Sequence, residues 1–360
     1  MTPLENIIRN RIIADGPMPL ADYMALCLSH PDHGYYRARP AIGAAGDFVT
    51  APEVSQMFGE IVGAWLAHAW TLAGRPDPVN LVELGPGRGT LMADILRTFR
   101  VLPGLASAVR VHLVETSERM RDAQRMALSA SGHAPHWHDS LAEVPRGAML
   151  LVANEFFDAL PIRQLVRCHG GWRERCVGLK DERLAFVAGP EEAGEEVAAS
   201  LRDAPDGAIV ELCPAARGIA GEIGGRLAAD GGAGLIIDYG YRAPGLGDSL
   251  QALKGKQAAD PLVDPGAADL TAHVDFAALA EAAQEAGAVV CGPITQGAFL
   301  TALGIGLRAE RLRAAGAAGA ELSLAVERLT GAGGMGSLFK VLGLAGQGLP
   351  PPPPFDSHAR

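Results

Sequence analysis

Residues 79–89, Val-Asn-Leu-Val-Glu-Leu-Gly-Pro-Gly-Arg-Gly, combine an apolar run, a carboxylate and three glycines at alternate positions. An apolar run that enters a glycine turn and leaves into Leu91–Phe99 reads as strand, tight loop and helix. Glycine lets backbone approach a ligand where a Cβ would collide, and a helix N-terminus offers its unpaired N–H groups. A dinucleotide site wants Gly-x-Gly-x-x-Gly, but Thr90 stands where the third glycine would fall. Glu83, two residues before Gly85, suits the ammonium of a methionine moiety and would repel a pyrophosphate. The ligand expected is S-adenosyl-L-methionine, held by Glu83, Gly85, Gly87 and Gly89. An NAD oxidoreductase is the weakest rival.

The next strand, Arg110–Glu115, ends on a second acid. A carboxylate at the tip of strand two of a doubly wound fold accepts from both ribose hydroxyls, which gives Glu115 that role. The plainer alternative is a helix N-terminal carboxylate beside Thr116 and Ser117. Residues 132–140 carry His133, His136 and His138, with alternation placing His136 and His138 on one face of a strand end. No second cluster of ligands accompanies them. The reading favoured is a solvent edge or adenine pocket, with Asp139 and Ser140 near the base and no metal.

Positioning these groups requires strands that alternate with helices. Beyond Asn80–Leu84 and Arg110–Glu115, strands are expected at Ala134–Trp137, Met149–Ala153, Ala208–Leu212, Gly234–Asp238, Ala288–Cys291 and Leu338–Leu344, with a hairpin of Ile162–Cys168 and Trp172–Leu179. The alternation indicates an α/β fold with a mostly parallel sheet. An N-terminal helical segment is expected over 1–75, ending at the Gly-Arg-Pro-Asp-Pro breaker. The main domain would cover 76–345 with an inserted subdomain at about 161–232. A Pro-rich, extended and mobile tail would follow at 346–360.

The chain of 360 residues has material for a sizeable core, with 48% hydrophobic and 20% charged residues. A net charge of −10 without a Lys/Arg run argues against nucleic acid as partner. No apolar stretch reaches membrane-spanning length. Cys27, Cys168, Cys176, Cys213 and Cys291 are dispersed without a C-x-x-C pair, which argues against a disulfide framework and against zinc. With neither a secretory h-region nor an Arg-rich, acid-poor leader at the N-terminus, the compartment expected is the cytoplasm. A homodimer is left open.

Six motifs occur in order: GDFVTAPEVSQMFGE (46–60), VELGPGRG (82–89), LVANEFFDALPIRQ (151–164), IIDYGY (236–241), DLTAHVDF (269–276) and TQGAFLTALGI (295–305). Together, over roughly residues 3–343, they resemble the MidA-like family, which includes a mitochondrial complex I assembly factor that methylates protein arginine. The resemblance implies a class I methyltransferase (Rossmann-like) fold with added elements. It also implies a protein substrate: methyl transfer to an arginine of the complex I subunit that corresponds to the 49-kDa protein.

An arginine acceptor presents a planar fork of donors that carboxylates clamp bidentately. Glu155 and Asp158, after the strand ending at Asn154, are the expected clamp. Asn154 belongs with the donor-binding groups and is placed to hydrogen-bond the clamp, and Phe156 or Phe157 would wall the slot. Asp238 and Tyr239 are expected to face the same crevice. His273 is the candidate proton acceptor with Asp275 beside it, unless Thr271 and Asp275 merely cap the next helix. Asp47 and Thr50 are expected in a lid touching the donor or substrate. Gln56 and Glu60, a helical turn apart, would face the pocket or form a polar helix face. Two other functions stay open: a methyltransferase-like assembly scaffold without catalysis, and a small-molecule methyltransferase.

Overall fold

The computed structural model describes residues 2–38, 49–102 and 104–355. The chain forms two compact units, one of Met1–Phe48, Asp158–Ala216 and Ala243–Asp275, the other of Val49–Phe157, Arg217–Arg242 and Phe276–Arg360. Among the described residues no helix is long and apolar enough to cross a membrane.

The second unit carries the sheet anticipated from the alternation. Its strands are β1 (Val79–Leu84), β2 (Val109–Val114), β3 (His136–His138), β4 (Met149–Asn154), β5 (Gly232–Tyr241), β6 (Val289–Thr295) and β7 (Phe339–Ala345). They lie in the order β6-β7-β5-β4-β1-β2-β3. The first five pair in parallel, and β7 runs antiparallel to both β5 and β6. Every residue of β1 and β4 is buried, as expected of parallel strands covered on both faces, and all but Asn80, Glu83 and Asn154 are apolar.

Four helices of this unit are α1 (Ala51–Val54), α2 (Gln56–Leu72), α3 (Thr90–Phe99) and α4 (Glu118–Leu128). The Ser55 hydroxyl caps α2 by accepting from the Met57 N–H at 3.2 Å. Helices α2 and α3 approach closely because Gly59 faces Asp94, where an added Cβ would lie 2.5 Å from the Asp94 Cβ. Phe58, Trp65, Phe99, Leu81, Leu150 and Phe299 share one apolar core. The proline-rich end departs from the mobile tail expected of it. Phe355 enters this core, edge-on to Trp65 at 6.3 Å between ring centroids. It fills the space left over Gly343, where a Cβ would come within 2.8 Å of its ring.

The first unit is built on antiparallel pairing. Arg163–Cys168 and Gly171–Lys180 form the hairpin expected there, flanked by Ile209–Leu212 on one side and Arg183–Glu192 on the other. A small sheet of Gln251–Lys254, Gln257–Ala259 and Asp269–Thr271 joins the same unit. Helices Pro3–Asp15 and Leu20–Ser29 share its core through Leu4, Ile8, Tyr23 and Met24, packed with Ile162, Val177 and Leu270. The division thus differs from the sequence-based one. The first two helices go with the insertion while α2 goes with the parallel sheet, and residues 243–275 extend the first unit. Helical periodicity marks an apolar face but not the core that receives it.

Candidate active site

The loop after β1 holds all three glycines in the left-handed region, at φ +61° for Gly85, +52° for Gly87 and +83° for Gly89. A side chain at Gly85 would also meet the Phe156 ring at 2.8 Å. Phe156 therefore rests on the glycine loop, edge-on to Phe157 at 5.3 Å. The loop stays closed through the Gly89 N–H, which donates to the Pro86 carbonyl at 2.8 Å.

Glu83 is enclosed at the end of β1, and burial pushes its carboxyl up to about 8 despite a hydrogen bond from the Met92 N–H. Its Oε2 is buried with no hydrogen-bond partner among the described residues, and so is the Oδ1 of Asn154 at the end of the adjacent strand β4. Buried acceptors normally find donors. Two orphaned acceptors at neighbouring strand ends, beside a glycine cradle, fit the ammonium-bearing end of S-adenosyl-L-methionine.

Glu115 follows β2 as expected. Its Oε1 accepts from the Ser117 N–H at 2.8 Å and its Oε2 from Gln124 Nε2 at 3.3 Å. Burial raises its pKa, against which the hydrogen bonds from Ser117, Gln124 and Thr116 act. Arg121 grips the Glu115 carbonyl at 2.5 Å and the Asp139 carboxylate at 2.6 Å, so Asp139 sits near this acid although exposed. Exposed Ser140 follows and accepts at its carbonyl from the Glu143 N–H at 3.2 Å. Gln124 escaped sequence reading. Its one signal was its place between Met120 and Leu128 on the buried stripe of α4.

His136 and His138 both reach His112 on β2: His112 Nδ1 lies 3.0 Å from His138 Nε2, and the His136 ring stacks at 5.6 Å. Burial, then the neighbouring histidines, holds His112 down at about 4. Among the described residues no group of three or more His, Cys, Asp or Glu is arranged to hold a metal ion.

After β4, Glu155 adopts φ +51°, a left-handed conformation that costs energy in a non-glycine residue and recurs at functional sites. Its Oε1 accepts from the Ala51 N–H at 2.9 Å and from Asn154 Nδ2 at 3.1 Å. Glu53 of the same short helix α1 accepts from the Thr90 hydroxyl at 2.9 Å, at the start of α3. Helix α1 is thereby tied both to Glu155 and to the donor-loop helix, with half-buried Thr50 in its N-cap position. Asp47 lies outside the described residues.

Several expected groups stand elsewhere. Asp238 lies inside β5 rather than at its end. It is completely buried, and its two oxygens take the N–H groups of Phe157 at 3.0 Å and Tyr239 at 2.9 Å. A carboxylate two hydrogen bonds deep in the sheet ends serves as their tie. Tyr239 packs edge-on against Phe339 at 5.4 Å. Gln56 is exposed, and Glu60 is engaged by Arg308 at 2.7 and 2.9 Å. Those two belong to a polar helix face.

Asp158 and His273 fall in the first unit. The Asp158 carbonyl accepts from the Ala272 N–H at 2.9 Å, and the His273 N–H donates to Ser249 Oγ at 2.8 Å. The Ser249 hydroxyl in turn donates to buried Glu211. Tyr36 donates to Asp269 at 3.0 Å, and its hydroxyl is held above its ordinary range by burial, then by Asp269 and Asp158.

Residues 61–294 match the family described as "Putative S-adenosyl-L-methionine-dependent methyltransferase". A Danio rerio protein, named Protein arginine methyltransferase NDUFAF7, mitochondrial, is 39% identical over 85% of this chain and 77% of its own length. The Homo sapiens protein of the same name is 37% identical over 86% of this chain and 75% of its own. A Burkholderia thailandensis structure bound to S-adenosyl-homocysteine matches with TM-score 0.86 at 31% identity, covering 99% of this chain and 94% of that one. These relatives correct the expected cytoplasmic compartment, since the proteins matching most of the chain are named as mitochondrial. Acidic residues among the first apolar ones do not report location. The glycine loop, the sheet order and these matches agree: the chain belongs to this family of S-adenosyl-L-methionine-dependent methyltransferases.

Proposed function

We propose that the chain methylates an arginine of a protein substrate, with a complex I subunit of the 49-kDa type as the partner suggested by the MidA-like resemblance. The observation that carries this reading is Glu155, whose carboxylate stands beside Asn154 while the next residue, Phe156, leans on Gly85 of the donor loop. The relatives' names as protein arginine methyltransferases support it.

When bound, S-adenosyl-L-methionine supplies a methyl group on a sulfonium. Glu83 and Asn154 would take its ammonium, Glu115 its ribose, and Thr50 would close over it. Glu155 would hold the guanidinium plane, which concentrates electron density on the attacking nitrogen. Phe156 would exclude water from that contact.

Labelled donor incubated with lysate from a strain lacking the gene would test this. Label is expected on arginine of one protein. Glu155→Gln keeps an acceptor for the Ala51 N–H, so it should spare donor affinity while lowering transfer by about a hundredfold or more. Label confined to small molecules, or full transfer by Glu155→Gln, would overturn the reading.

A further inference from the structure

Gln124 is fully buried on α4, and all its hydrogen-bonding functions are engaged. Its Nε2 donates to the Gly87 carbonyl at 2.8 Å and to Glu115 Oε2 at 3.3 Å, and its Oε1 accepts from the Trp137 indole at 2.8 Å. The chemistry of the partners fixes the amide's orientation. An indole N–H only donates, while a carbonyl and a carboxylate only accept. One side chain thereby joins the glycine loop after β1, the acid after β2 and the aromatic of β3. The helix backbone is close too, since a Cβ on Gly89 would meet Gln124 Cα at 3.3 Å. Trp137 is held in turn by Arg125, whose guanidinium lies 4.8 Å from its ring centroid.

We infer that Gln124 is a positioning residue for the methyl donor. It fixes the Gly87 carbonyl and turns the Glu115 carboxylate, so that ribose recognition belongs to the Gln124–Glu115 pair. A carboxylate left to rotate would have to be ordered anew at each binding event, and the amide removes that cost in advance. The Ser117 N–H holds one oxygen and Gln124 the other, which fixes the carboxylate plane. The inference rests on the assignment of Glu115 to the ribose.

Calorimetry with S-adenosylhomocysteine and 5′-methylthioadenosine separates the possibilities, because both carry the ribose but only the first carries the amino-acid end. Gln124→Met keeps the length of the side chain and removes its hydrogen bonds. It should weaken both ligands by the same factor, about tenfold or more. In the Glu115→Ala background Gln124→Met should cost less than it costs in the wild type, since only the Gly87 contact is left to lose. Additive losses would make Gln124 a packing residue and overturn the inference. Unchanged affinity in Glu115→Ala would instead overturn the ribose assignment beneath it. Should Gln124→Met fail to fold, Gln124→Glu carries the test. It keeps an acceptor for Trp137 but sets a second carboxylate against Glu115, so its loss should be larger at pH 8 than at pH 6. An equal loss at both pH values would also overturn the inference.

Discussion

A carboxyl group enclosed at the end of β1 keeps its proton up to about pH 8, against an ordinary value of 4.5. Between those values the folded chain binds a proton that the unfolded chain has lost, so Glu83 lowers stability without ligand as pH rises. On the proposed assignment the donor's ammonium reverses this by favouring the ionised form. Donor affinity should therefore strengthen as pH rises from 6 toward 8, with proton release visible by calorimetry in buffers of different ionisation heats. Glu83→Gln should bind donor poorly yet melt higher than the wild type at pH 8 without ligand. A flat affinity profile would remove Glu83 from the donor site. The positions of Glu83 in the strand that enters the glycine loop and of Glu115 just past the next strand were legible from the apolar residues around them. Gln124 was not legible: a mid-helix glutamine looks like any polar residue until Gly87 and Glu115 are folded against it. Asp238 misled for a related reason. The strand expected to end on it continues to Tyr241, and its carboxylate accepts from backbone N–H groups, which sequence does not display.

Among the elements, the β1–α3 loop allows least change. Gly85 has a left-handed backbone and the Phe156 ring above it, so Gly85→Val combines backbone strain with a collision. That variant should lose donor binding by calorimetry while keeping its circular dichroism spectrum. Donor affinity at the wild-type level would place the ligand elsewhere. The parallel strands were legible because burial on both faces leaves mostly apolar residues, and β1 and β4 were expected within a residue of where they lie. The hairpin at Arg163–Lys180 likewise lies within a residue of the strands expected for it. The sheet of Gln251–Lys254, Gln257–Ala259 and Asp269–Thr271 was not, since three- and four-residue strands carry too little alternation. Helix α1 illustrates a further limit. It is one turn long, and what places it is a pair of side-chain acceptors, Glu53 at Thr90 and Glu155 at Ala51.

At the scale of the molecule, a net charge of −10 suits solubility and leaves the choice of partner to local chemistry. The Pro-rich end has a structural part through Phe355, which lies against Trp65, Phe299 and Gly343. Phe355→Ala should cost about 3–5 kcal/mol and lower Tm by several degrees, with donor affinity at saturation unchanged. An unaltered Tm would mean that the ring adds nothing to the core. The sheet order has a consequence for the timing of synthesis. Strands β1 to β4, with Glu83, Glu115 and Asn154, leave the ribosome as a contiguous stretch, whereas β6 pairs, among the described residues, only with β7, made more than forty residues later. Until β7 emerges, β5 has one open side and β6 has none of its ladder. A nascent chain can thus display the proposed donor-binding residues well before it owns the sheet that holds them still, and the ring of Phe355 comes later again to seal the seam.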